Sequence, residues 1–202
     1  MTHHENNAEV YNKSAQKMNK KFQDMWWRTE DIERVFSYFE KPYNKLSILE
    51  IWPWWWRDAE IFQKYTQNYL WVDISEEFIK ICKQNLPELN FEVWNIQNYT
   101  FKNNIDIVYS AASLIHSDKD EIVSTLKKIS KNLNKWWVVF LSMKSSEEDY
   151  EKVVLDNGFG DRTYFFYKKS FFKNLLPKEY NILYEDEQYK NNQTRFTLII
   201  QK

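Results

Sequence analysis

Short apolar runs alternate with amphipathic stretches along most of the chain. Tyr11, Ala15, Met18 and Phe22 recur at helical spacing and predict an amphipathic helix over residues 8–23. A second helix is expected from Thr29, a candidate N-cap with Glu30 and Asp31 in its first turn. Its stripe is Ile32, Val35, Phe36 and Phe39, and it stops before Pro42. From residue 46 the period changes. The runs 46–51 (LSILEI), 69–73 (YLWVD), 90–94 (NFEVW), 105–110 (IDIVYS) and 137–143 (WVVFLSM) have the short apolar character of buried strands. Between them lie a helical stretch over 57–67, a helix capped by Ser75 through Ile79, Cys82 and Leu86, and another bearing Ile122, Leu126, Ile129 and Leu133. After about residue 145 the spacing predicts a helical patch, the aromatic run 163–167 (TYFFY) and a short helix over 169–176. Two last strands follow at 180–186 and 195–201, joined by a solvated loop over 186–194.

Strands alternating with helices of this length imply an α/β fold: a doubly wound, mostly parallel sheet covered on both faces, with the last two strands as an antiparallel edge hairpin. The organisation expected is one structural domain, with a helical lid over 1–45 packed on 46–202. At 202 residues the chain can bury roughly 70% of its unfolded surface. Its 28 Lys+Arg stand against 29 Asp+Glu, for a net charge of −1. No broad basic field exists to hold nucleic acid or an anionic membrane by charge, so neither is expected as a partner. Cys82 stands alone, which excludes an intramolecular disulfide and an all-cysteine zinc site. No apolar run approaches a membrane span and the first residues are polar, so a cytoplasmic protein is expected.

The candidate chemistry lies at strand ends. In open parallel sheets ligands bind at the carboxyl ends of strands, beside the point where strand order reverses. The first strand runs into Glu50-Ile51-Trp52-Pro53-Trp54-Trp55-Trp56-Arg57-Asp58. The second ends at Asp73, 21 residues after Trp52, close to the spacing at which an acid meets ribose hydroxyls. This is a nucleoside-binding frame with an anomalous loop, because close backbone approach and positive φ both favour glycine. The composition carries the same anomaly. Gly occurs twice and Trp ten times, whereas average usage predicts about 14 glycines.

With each Trp read as Gly, the chain resembles the class I S-adenosylmethionine-dependent methyltransferases. The segments that carry the resemblance are LEIWPWWWRD, YLWVDIS, FEVWNIQNYTF, IDIVYSAASLIHS and LNKWWVVFLSMK, within residues 46–144. Family glycines correspond to Trp71, Trp94 and the pair Trp136-Trp137, and Trp26-Trp27 sits where a glycine loop would join two helices. All ten tryptophans are expected at turns or ligand-approach positions. Two origins give this pattern: UGA codons, tryptophan in some genetic codes and glycine in others, or deliberate substitution. The many lysines beside five arginines fit an AT-rich genome and the first origin.

The resemblance implies a Rossmann-like seven-stranded sheet and S-adenosylmethionine as cofactor. It implies that Glu50 and the loop carrying Trp52, Trp54 and Trp56 hold the amino-acid end of that cofactor, and that Asp73 takes its ribose hydroxyls. Asn95, where the family often has an acid, and Ile96 would flank the adenine, and Ser110 would lie under the methionine portion. His116 falls where family members place substrate-side or catalytic residues and could serve as a base; the competing reading is a helix-start histidine facing solvent or a backbone carbonyl. Arg162 and Tyr164 could contact the acceptor, with packing as the alternative, and Tyr167 reads as packing. His3 and His4, in a frayed terminus, are too few for a metal site. The implied reaction moves a methyl group to an acceptor, more readily a small molecule than a macromolecule. Two other readings stay open: a non-catalytic binding module, favoured if the loop tryptophans are genuine, and a nicotinamide-dependent oxidoreductase, which would favour G-x-G-x-x-G spacing.

Overall fold

The computed structural model describes residues 2–21, 28–51, 56–101, 104–133, 136–190 and 193–202. Five strands run parallel: β1 (Ile48–Ile51), β2 (Tyr69–Asp73), β3 (Asn90–Val93), β4 (Ile107–Ala111) and β5 (Val138–Lys144). Two antiparallel strands, β8 (Asn181–Lys190) and β9 (Gln193–Gln201), complete a seven-stranded sheet of order β3-β2-β1-β4-β5-β9-β8. Every position of β1 and β4 is buried, as expected where helices cover both faces.

The alternation along each strand sorts side chains into two cores. Leu49, Ile51, Val108, Val139 and Leu141 pack with Ile122, Leu126 and Ile129 of α5 (Lys119–Asn132) and Phe172 of α6 (Lys169–Leu175). Ile48, Tyr69, Tyr109 and Phe140 face the other side. There they meet Val35 and Phe36 of α2 (Thr29–Phe36), Phe62 of α3 (Trp56–Phe62) and Cys82 of α4 (Glu76–Asn85). Side-chain caps start two of these helices. Ser75 Oγ accepts from Phe78 N–H at 3.2 Å, and Asp118 with Glu121 forms a capping box on α5. The first helix, α1 (His3–Lys21), lays Tyr11, Ala15 and Met18 on Phe78 and Ile81 of α4. Among the described residues no helix is long and apolar enough to cross a membrane.

Four expectations are corrected. Residues 150–156 form a strand, β6, not a helical patch. It pairs antiparallel with β7 (Asp161–Tyr167) in a two-stranded sheet of its own. Val153 and Leu155 alternate inward, and Asp156 Oδ1 fixes the turn by accepting from the N–H groups of Gly158, Phe159 and Gly160 at 2.7–3.0 Å. Both of these glycines have positive φ, which suits them to the turn. Residues 186–194 are not a plain loop either, since β8 and β9 pair as far as Lys190 with Gln193; the exposed end of the hairpin is polar, which hides a strand from a hydrophobicity reading. Arg28, not Thr29, takes the N-cap position of α2. Trp71 lies within β2, packed on Phe91, not at a turn.

Trp136 does meet the glycine expectation. Its φ is 76° and it is 66% exposed, so the indole has little packing to offset a left-handed backbone. Trp136→Gly is expected to raise stability by about 1 kcal/mol, the relief of strain less the greater unfolded-state entropy of glycine. A higher urea midpoint at unchanged slope is the check.

Candidate functional site

Strand order reverses between β1 and β4, and in open parallel sheets ligands bind beyond the carboxyl ends at such a point. Glu50, Asp73, Asn95 and Ser110 stand at or next to the carboxyl ends of β1, β2, β3 and β4. Asp73 ends β2 almost fully buried, and its Oδ1 accepts from Ser75 N–H at 2.7 Å. Loss of solvent pushes its pKa up to about 7, against the pull of the Ser75 and Ile74 N–H groups. Glu50 is fully buried. The Tyr69 hydroxyl donates to its Oε2, while its Oε1 is buried without a hydrogen-bond partner. Burial and the nearby Asp58 push its pKa well up, with Tyr69 and Arg28 opposing. Arg28 itself pairs with Asp58 at 3.0 Å.

Asn95 Oδ1 accepts from Gln97 N–H at 3.0 Å and starts a 3-10 turn whose first residue, Ile96, is buried in the core beside β1. Ser110 Oγ lies 2.6 Å from Ser113 Oγ, wholly buried. Trp52 and Trp54 lie outside the described residues, as do Trp26, Trp27 and Trp55; Trp56 begins α3 and is half-buried.

α1, β7 and the 3-10 turn Leu114–His116 pack together as a roof. Its centre is His116, completely buried. His116 Nδ1 lies 2.7 Å from the Thr163 carbonyl, and Tyr11 Oη lies 2.7 Å from His116 Nε2. Asn7 bridges the same strand: its Nδ2 donates to Thr163 O at 3.0 Å and its Oδ1 accepts from Thr163 N–H at 2.9 Å. A proton on Nδ1, donated to Thr163, leaves Nε2 to accept from the Tyr11 hydroxyl; this tautomer is assigned from the network. Burial, with Arg162, His4 and Lys144 adding to it, lowers the His116 pKa to about 3, although the Thr163 carbonyl acts the other way. The solvent-facing alternative is therefore replaced by the carbonyl-bound one. The ring is expected to stay neutral, with no titration between about pH 8 and 4, as read from imidazole nitrogen shifts by NMR.

Arg162 is 1% exposed, with its guanidinium 5.1 Å from the Tyr11 ring and 5.4 Å from the Tyr164 ring. Tyr164 packs 4.7 Å from His116, ring centre to ring centre. Tyr167 belongs to the core, donating to Ser117 O at 2.9 Å. Tyr11 joins the two halves of the site, because the charges of both Arg162 and Asp73 reach its hydroxyl. Asn12 adds a tie, its Oδ1 accepting from Ser75 Oγ at 2.8 Å.

Asn7, Asn12 and Lys144 escape a reading of the sequence. Asn7 and Tyr11, one helical turn apart, give the one available signal. His3 and His4 belong to the first turn of α1 and are not frayed. His4 Nε2 meets Glu121 Oε1 at 2.8 Å and His3 Nε2 lies 3.5 Å from Oε2. Glu121 Oε2 also accepts from Asp118 N–H at 2.9 Å, so the carboxylate is engaged within the chain.

Residues 57–135 match the family model described as a methyltransferase domain. No curated protein matches the chain. A S-adenosylmethionine-dependent methyltransferase from Clostridium acetobutylicum superposes with a TM-score of 0.71 at 17% identity, covering 95% of this chain and 98% of that one. One from Leishmania major gives 0.75 at 12% identity, covering 98% and 83%. Magnesium protoporphyrin IX methyltransferase from Synechocystis, with S-adenosylmethionine bound, gives 0.73 at 12% identity, covering 99% and 97%. Identities this low speak to the fold alone, and they agree with the sheet architecture described above. Residues 57–135 carry the methyltransferase-domain match, and the chain shares the Rossmann-like fold of these S-adenosylmethionine-dependent methyltransferases.

Proposed function

We propose that the chain transfers the methyl group of S-adenosylmethionine to a small-molecule acceptor. The observation that carries the reading is the continuity between Asp73, at a strand end suited to ribose, and the roof formed by Tyr11, His116, Arg162 and Tyr164. In this reading Glu50 and the loop at Trp52, Trp54 and Trp56 support the amino-acid end of the cofactor. Asp73 accepts from the ribose hydroxyls, Asn95 and Ile96 flank the adenine, and Ser110 underlies the methionine portion. The positive end of α3 and backbone N–H groups would face the cofactor carboxylate.

In-line transfer from a sulfonium needs alignment and the exclusion of water more than an acid–base pair. The roof supplies both. A histidine with a pKa near 3 is a weak base, so His116 acts as a positioning residue that holds the Tyr11 hydroxyl. The segment 1–45 serves as the lid in this reading, its helix α1 tied to β7 through Asn6, whose Nδ2 donates to Asp161 O at 2.9 Å, and through Asn7. The neighbour from Synechocystis acts on a small molecule, magnesium protoporphyrin IX, and the near-neutral charge of this chain suits a small acceptor better than a nucleic acid.

Incubation with methyl-labelled S-adenosylmethionine and a fractionated cell extract tests the reading, using the chain with tryptophan and with glycine at the ten positions. Label is expected in the small-molecule fraction with the glycine form. Label confined to protein or nucleic acid would reject the small acceptor, and no transfer by either form would favour a non-catalytic binding module.

A further inference from the structure

Lys144 of β5, Arg162 of β7 and Arg195 of β9 lie near one another with Arg28 beside Arg195, and among the described residues only Arg28 of these has a carboxylate in ion-pair range. Arg28 is paired with Asp58 at 3.0 Å. Arg195 lies opposite Lys144 in the β5–β9 register. Lys144 Nζ stands 5.2 Å from the Tyr164 ring, and Arg162 stands 5.4 Å from the same ring. Arg162 is 1% exposed, and both its Nε and its Nη1 are buried without a hydrogen-bond partner. The acid that senses Arg162, Asp156, is exposed, and one of its oxygens is already taken by three backbone N–H groups of the turn. The mutual repulsion is visible on the neighbours. Lys144 falls to about 8 through burial, Arg195 and Arg162, and Arg195 falls to about 10 through burial and Arg28.

A guanidinium buried without a counter-charge is unfavourable, and an anion beside it relieves that cost. The transferred methyl group also sits on a sulfonium, a further positive charge that this cluster would repel. One anion between them satisfies both.

We propose that the acceptor is a small organic acid whose carboxylate or phosphoryl group is held by Arg162, with Lys144 and Arg195 adding to the field. The site rests on the methyltransferase reading for its meaning, but its anion-binding chemistry does not. A guanidinium offers paired N–H donors in one plane, which fit either oxyanion. The Tyr11 ring covers the guanidinium from above, so the acid enters when α1 lifts from β7, breaking the bonds of Asn6 and Asn7 to that strand.

The test titrates succinate, methylphosphonate and neutral succinamide into the 202-residue chain by calorimetry, with S-adenosylhomocysteine binding measured separately. At least one acid is expected to bind and succinamide is not; which acid binds tells carboxylate from phosphoryl. Arg162→Met, close in volume and without the charge, is expected to fold with an unchanged or higher melting temperature and to bind the acid roughly tenfold to a hundredfold more weakly. Lys144→Gln is expected to weaken it by a smaller factor, and serves if Arg162→Met does not fold. Equal binding of acid and amide, or acid binding insensitive to both substitutions, would overturn the proposal. Acid binding without S-adenosylhomocysteine binding in the glycine form would instead reject the methyltransferase reading and leave the acid site standing.

Discussion

Glycine at the ten tryptophan positions is expected to turn a chain with undetectable affinity for S-adenosylmethionine into one that binds it, a difference of at least about a hundredfold. The cofactor needs backbone N–H groups at van der Waals range and an open start to α3, and a side chain at such positions blocks that approach. Indoles recover part of any strain by burying apolar surface, at roughly 25 cal/mol per Å², so the fold tolerates them better than the ligand does. Of the described tryptophans Trp136 fits this picture, whereas Trp71 packs inside β2. Trp136 holds a left-handed φ of 76°, and the buried indole N–H groups of Trp71 and Trp137 have no hydrogen-bond partner. Calorimetry on the two forms side by side is the measurement. Equal affinity would show that positions 52–56 are not the cofactor loop.

In the glycine form, Asp73→Ala is expected to weaken cofactor binding by about tenfold to a hundredfold while the saturated rate changes less. Hydrogen bonds to a charged group are worth roughly 1.5–3 kcal/mol, and Asp73 is distant in role from the methyl transfer itself. The pH dependence follows from the same burial. The ribose hydroxyls donate, so they favour the carboxylate over the carboxyl, and in the free protein this group has a pKa of about 7. Affinity is therefore expected to fall as pH drops below 7, by up to about tenfold per unit, and this slope should vanish in Asp73→Asn.

Stability moves the other way at this residue. Its folded pKa lies above the unfolded value, so its contribution is greatest at low pH and is lost as pH rises through 7. His116, lowered to about 3, opposes it, losing stability as pH falls below its unfolded value near 6.5. Between about pH 4 and 6.5 the two slopes cancel. Cofactor titration, not melting, is the clean readout of Asp73.

The main sheet was legible because buried parallel strands write themselves as continuous apolar runs. β1, β2, β4 and β5 fall within two residues of where those runs place them. The place of Asp73 was legible for a related reason: it is the acid that closes the apolar run of β2. What failed were pieces whose reason to exist lies in distant contacts. β6 is half exposed and carries only the weak alternation of Val153 and Leu155, and the outer half of the β8–β9 hairpin is polar on both faces. The roof was harder still. Nothing local to His116 announces that Asn7 and Tyr11, more than a hundred residues earlier, enclose it. Nor does Arg162, one charged residue beside aromatic neighbours, reveal that it is buried against the Tyr11 ring of α1.

Those long separations have a consequence for how the protein comes into being. Asn6 and Asn7 find their partners at Asp161 and Thr163, 155 and 156 positions further along. During synthesis the strands from β1 to β5 can pair, and the nucleoside crevice can form, while α1 still waits with its polar ties unmet. The roof closes only once β7 has emerged, after all five parallel strands have been made. Contacts of such long sequence separation are the slow ones to form. A nascent chain therefore holds a place for its cofactor well before it holds one for the molecule it would methylate.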